Sequence, residues 1–133
     1  MPPMLSLAYE LPATPAELLA LLQDRDFVEQ RLGVLQVTAA ELVRHEVGDQ
    51  SLTTTTMTTF PRSIVPRIAR GFVLGAPRFR RTETWGPVDD GYDGHVDVDL
   101  IGTPSTIAGR MCLRPGPAGS RLTFDCTISI PLL

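Results

Sequence analysis

Lysine is absent from this chain of 133 residues, and all 12 basic side chains are arginine, a bias that codon usage in a GC-rich genome produces. Positive charge is also the minority sign: 15 acidic residues leave a net charge of −3. The one basic cluster, Arg78-Phe79-Arg80-Arg81, is short and sits beside acidic neighbours. That balance argues against a nucleic-acid partner, which needs clustered cations to displace condensed counterions. Long apolar runs are missing too. None approaches the ~18 residues that a membrane span requires. The opening Met-Pro-Pro-Met lacks the basic stretch before an apolar core that marks a signal peptide, so the expected address is cytoplasmic. Cysteine is scarce: two residues, with no Cys/His spacing of the kind that binds metal. No metal and no cofactor is expected.

What is present is an apolar fraction of 43% with 20% charged residues, the balance of an ordinary soluble globule. A chain of this length makes one domain able to bury about two-thirds of its unfolded surface. The order of its elements is the strongest signal. Met4 to Leu11 alternates, with Leu5, Leu7, Tyr9 and Leu11 on one side, and Pro12 closes this strand. Thr14, Pro15 and Glu17 then spell a capping box with proline at the first helical position, opening a helix to about Gln23. A second short helix starts at Asp24 or Arg25 and carries Phe27, Val28 and Leu32, with Gly33 placed to stop it.

Only strands are expected afterwards, apart from one interruption. Val34 to Val47 and Ser51 to Phe60 read as strands around Gly48-Asp49, the second dense in threonine at 53 to 56, 58 and 59. That threonine run fits a solvated strand, or a row of hydroxyls lining a cavity. Ile64, Ile68 and Phe72 recur at helical spacing between Pro61 and Gly75, predicting a short helix or broken turn across 62 to 74 that lies over one mouth of the interior as a lid. Three hairpin-linked strands follow: 78 to 85, 92 to 101 and 106 to 114, with a last strand from 121 to 130.

Strand parity turns this outline into a map of faces. Gly94, Val96, Val98 and Leu100 are expected inside, with Asp93, His95, Asp97 and Asp99 outside. Arg110, Cys112 and Arg114 share that outer face, and the shortest turns place Arg110 between Asp97 and Asp125. Cys126 lies inward with Leu122, Phe124, Ile128 and Ile130, so the two thiols face opposite ways and both are expected free. The acid-rich row reads as solvated cross-strand pairing rather than as a metal or catalytic site. Phe79, Arg81, Glu83 and Trp85 share one face, and parity leaves open which. Turned inward, Arg81 and Glu83 would be a hydrogen-bonded ion pair inside the cavity, a polar handle for a ligand.

These stretches resemble the START-like (SRPBCC, helix-grip) superfamily, which includes plant pollen-allergen proteins and polyketide cyclases, and most resemble an uncharacterised actinobacterial branch. The similar residues are the opening strand with Thr14-Pro15, Asp26 to Leu32, Arg81 to Trp85, Gly102-Thr103-Pro104 and Ile128 to Leu132. The resemblance implies an α+β helix-grip domain over 1–133: a curved antiparallel sheet of about seven strands, with two short helices after the first. It also implies a long C-terminal helix across the concave face, whereas this sequence stops at Pro131-Leu132-Leu133. The expectation is a domain truncated at its C-terminus that self-associates across the open face.

The leading functional expectation is a non-enzymatic domain holding a small hydrophobic or lipid-like ligand in an apolar cavity. Leu7, Leu18, Leu22, Leu113 and Ile128 are expected as core or cavity wall. The ligand-binding candidates are Tyr9, Phe27, Arg81, Glu83 and Trp85, together with Val96, Val98, Met111 and Phe124. One alternative is a cyclase- or hydrolase-like enzyme in the same cavity, for which His45 and Glu41, sharing parity with Val43, would supply acid–base groups. Another is an oligomerising or regulatory module with no ligand. No catalytic residue stands out.

Overall fold

Each strand pairs antiparallel with its neighbour in sequence except the first, which crosses to the far side of the sheet. The computed structural model describes residues 5–71 and 75–129. Its elements are β1 (Leu5–Leu11), α1 (Pro15–Gln23), α2 (Arg25–Gly33), β2 (Ala39–Gly48), β3 (Ser51–Thr59), β4 (Arg78–Val88), β5 (Gly91–Leu100), β6 (Thr106–Gly116) and β7 (Gly119–Ser129). They form one seven-stranded sheet in the order β1-β7-β6-β5-β4-β3-β2. Because β1 and β2 are the two edges, the chain between them must cross the sheet, and α1 and α2 make that crossing. The architecture is α+β and helix-grip-like, as the sequence predicts.

Local chemistry explains the helix boundaries. The Thr14 hydroxyl accepts from Glu17 N at 3.2 Å while Glu17 Oε1 accepts from Thr14 N at 3.1 Å, the reciprocal capping box. Asp24 caps α2 through Asp26 N at 2.9 Å. Gly33 does not stop α2 by a left-handed turn. It is the last helical residue, and Val34 in right-handed conformation caps the end. The region expected to be strand from Val34 is bend and turn until Ala39.

Register fixes one inward face across all seven strands. One row runs Val47, Leu52, Trp85, Gly94, Met111, Phe124 and Leu7. The next runs His45, Thr54, Glu83, Val96, Gly109, Cys126 and Leu5. Leu19 of α1 packs down onto Leu52, Trp85, Tyr92, Val96, Met111 and Leu113 to make the core. Glycine has a packing role on this face. A Cβ at Gly109 would meet Val96 Cγ1 at 2.6 Å and Phe124 Cε2 at 2.9 Å, so the position leaves room for both side chains. Cys126 is buried, Cys112 is half-buried on the other face, and both are free.

Two more expectations need correction. Arg110 stands opposite His95 and Asp125, not Asp97 and Asp125. The β5–β6 loop closes earlier than the tightest turn, because Ile101 N bonds to Arg78 O on β4 and Leu100 N bonds to Ser105 O. Arg110 therefore reaches diagonally to Asp93, at 3.9 Å. Across 62 to 74, where a short helix or broken turn is expected, the described residues make two separate 3₁₀ turns, Arg62–Ile64 and Arg67–Ala69, because Pro66 breaks the run. Phe72 lies outside the described residues, as do the ends expected for the first and last strands at Met4 and Ile130. The second correction concerns β2. Its register shifts between Leu42 and Arg44, so Val43 is a bulge residue. Beyond the bulge His45 faces inward with Leu42, while Glu41 pairs with outward Met57 and is exposed. His45 and Glu41 do not share a face.

Candidate functional site

Between the helices and the inward face lies a groove in two halves. One half, of about 540 Å³, is lined by Val28, Leu32, Leu35 and Leu52, by Thr54, Thr56 and Thr58, and by Phe60, Ile64, Phe79 and Val98. The other, of about 530 Å³, is lined by Leu7, Tyr9, Leu11, Leu18, Leu21, Phe27, Trp85, Met111, Leu113, Leu122 and Phe124. Leu22, Arg31, Arg81 and Glu83 line both and mark where they meet. Each half falls within the range of small-molecule sites.

The wall is divided by chemistry. The side chains that β5, β6, β7 and β1 contribute to the groove lining are apolar except for the Tyr9 hydroxyl. On β3 and β4 the inward rows carry Thr54 beside Glu83 and Thr56 beside Arg81. The threonine run is thus split by strand parity: Thr54, Thr56 and Thr58 reach the groove, while Thr55 turns to the convex side and bonds Thr82 at 3.3 Å.

Arg81, Glu83 and Trp85 face inward together. Glu83 is 8% exposed and Trp85 5%. The Glu83 carboxylate accepts at both oxygens: Oε2 from Arg81 Nη1 at 3.0 Å, and Oε1 from Trp85 Nε1 at 3.0 Å. Burying a carboxylate is costly unless it is paired and hydrogen-bonded, and here both conditions are met. Arg81 keeps 40% of its side chain exposed, on the groove side.

His45 is tied differently. Its Nε2 donates to the carbonyl of Gln23 at the end of α1, at 2.8 Å, and its Nδ1 accepts from the Thr54 hydroxyl, at 3.2 Å. Carbonyl oxygen only accepts, so this network selects the Nε2–H tautomer of the neutral ring. Gln23 completes the tie by donating to Gly48 O and Ser51 O, each at 3.1 Å. His45 joins α1 to the β2–β3 hairpin, and both of its ring nitrogens are occupied. Among the described residues no group of three or more His, Cys, Asp or Glu is arranged to hold a metal ion.

Of the residues singled out from sequence, Tyr9, Phe27, Trp85, Met111 and Phe124 line the second half, Val98 lines the first, and Arg81 and Glu83 line both. Val96 lines neither; at 3% exposure it is core, packed against the Gly109 position. Ile128, expected as core or cavity wall, stays 40% exposed outside both halves. Arg31 was missed. Its signal was the helical spacing of four from Phe27, and its guanidinium stacks 5.9 Å from the Phe27 ring centroid. The first half also recruits Leu35 and Phe60 from irregular segments, and Ile64 from the first 3₁₀ turn.

The chain belongs to the family described as protein of unknown function DUF2505, which it matches over residues 6–133. It is also similar to an uncharacterized protein of Mycobacterium bovis and to uncharacterized proteins of two strains of Mycobacterium tuberculosis. Each is 28% identical over 115 residues, covering 80% of this chain and 66% of the relative. The match spans just under two-thirds of these relatives' length. They extend the sequence's expectation of an uncharacterised actinobacterial family. Among the described residues no helix is long and apolar enough to cross a membrane.

Proposed function

We propose that this member of the DUF2505 family works as a START-like binding domain, holding a small hydrophobic molecule in the groove between its helices and its sheet. The observation that carries this reading is the pairing of a largely apolar wall with an internally neutralised Arg81–Glu83–Trp85 cluster. A ligand that hides about 300 Å² of apolar surface gains roughly 7 kcal/mol before association costs. Area supplies the affinity, and the few polar groups supply orientation.

Binding is favoured over acid–base catalysis by the state of the inward titratable groups. Both oxygens of Glu83 and both nitrogens of His45 are already engaged by protein partners. A general acid or base needs an open position toward the substrate's proton.

Native mass spectrometry of the purified protein tests the proposal, with organic extraction to identify what is released. A one-to-one adduct of an apolar molecule, or one acquired on incubation with n-dodecanol, is expected. A bare protein mass under both conditions overturns it.

A second reading, that another copy of the chain covers part of the apolar surface, draws on the exposure of Leu5, Leu7 and Tyr9 on β1. Sedimentation velocity distinguishes the two, since the first expects a monomer when the groove is loaded.

A further inference from the structure

We infer that the molecule held in this groove is an amphiphile whose head group carries a single negative charge, a carboxylate, bound where the two halves meet. This rests on the binding reading above and adds the charge of the ligand.

The argument is a census of charge. Three of the described residues lining the two halves are charged: Arg31, Arg81 and Glu83, and all three line both halves. Their sum is one positive charge, at the meeting point of two largely apolar compartments. The charge of Glu83 is already matched by Arg81, and its two oxygens accept from Arg81 and Trp85. Arg81 spends Nη1 on that bond, and among the described residues its Nη2 and Nε make no further hydrogen bond, so they remain for another acceptor. Arg31 makes no ion pair among the described residues; its contact there is the face of Phe27. Two guanidinium groups, one from α2 and one from β4, thus border the same space with donors to spare.

A guanidinium offers paired N–H donors in the geometry of a carboxylate. The apolar lining lowers the local dielectric, which strengthens attraction for an anion and penalises a cation. One surplus charge matches a monoanion. The largely apolar half lined by Leu18, Trp85, Met111 and Phe124 takes the chain.

The test uses three ligands with the same twelve-carbon chain: dodecanoate, n-dodecanol and dodecyltrimethylammonium, each titrated calorimetrically into the whole protein below its micellar concentration. Dodecanoate is expected to bind at least tenfold tighter than dodecanol, with the ammonium weakest. Arg81→Gln and Arg31→Gln are each expected to weaken dodecanoate on the order of tenfold, about 1.4 kcal/mol. In both variants dodecanol affinity should fall by less than dodecanoate affinity, and an unchanged far-UV circular dichroism spectrum shows that they are folded. If dodecanol binds as tightly as dodecanoate, the head-group inference is overturned while the apolar-ligand reading stands. If none of the three binds, both are overturned.

Discussion

The indole of Trp85 lies over Gly94, its cross-strand partner, so closely that a Cβ at position 94 would come within 2.8 Å of the ring. The single tryptophan of the chain holds its place at the groove because β5 has no side chain beneath it. Gly94→Ala must either displace the indole or move the strand. Overpacking of this kind costs about 1–3 kcal/mol. Urea denaturation should show that loss, and the native emission of Trp85 should shift.

Glu83→Gln tests the buried hydrogen-bond cluster. The amide keeps the shape but loses the charge that Arg81 faces, and it retains a single good acceptor for two donors. A cost of about 1–3 kcal/mol in chemical denaturation is expected. No change in stability would show that the cluster contributes nothing to the fold.

Gln23→Ala removes both hydrogen bonds from the end of α1 to the β2–β3 turn, to Gly48 O and Ser51 O. Those carbonyls lie at a turn where water can replace the amide, so the expected loss is modest, about 1 kcal/mol. Amide exchange should quicken in the β2–β3 hairpin and stay unchanged in β6 and β7.

Acid stability should depend on Asp93, on the convex face. Its hydrogen bond from Arg114, at 2.7 Å, holds its carboxyl below the ordinary value of 3.8, although burial opposes the shift. A folded-state value depressed in this way adds stability above the unfolded-state value, near ~3.9, and that stability is lost as pH falls through the folded value. Asp93→Asn should cost about 1–2 kcal/mol at neutral pH. It should also flatten the part of the stability profile below about pH 4. Profiles of equal steepness for the two proteins would contradict this.

Much of the scaffold was legible because its signals are local. Thr14, Pro15 and Glu17 define a helix start within four residues, and β5 to β7 alternate cleanly enough for parity to put Val96 inside and Asp97 outside. Parity fails where one residue is inserted, and the bulge at Val43 reversed the relation between Glu41 and His45. Nothing in the alternation of β2 marks that insertion. The facing of Arg81, Glu83 and Trp85 was undecidable because the opposite set, Arg80, Thr82 and Thr84, is also polar. Only the bonds from Arg81 and Trp85 to one carboxylate show how the inward set is satisfied. Arg31 and Ile64 come to the groove from separate parts of the chain, a relation set by topology rather than by periodicity.

The most direct test of ligand binding is the emission of Trp85 during titration with n-dodecanol, since this residue lines the groove and is the sole tryptophan. A saturable, one-to-one change is predicted, reversed by extraction of the alcohol. Emission that stays constant up to the solubility limit, with dodecanoate as well as dodecanol, would contradict the proposal that this groove shelters an apolar guest.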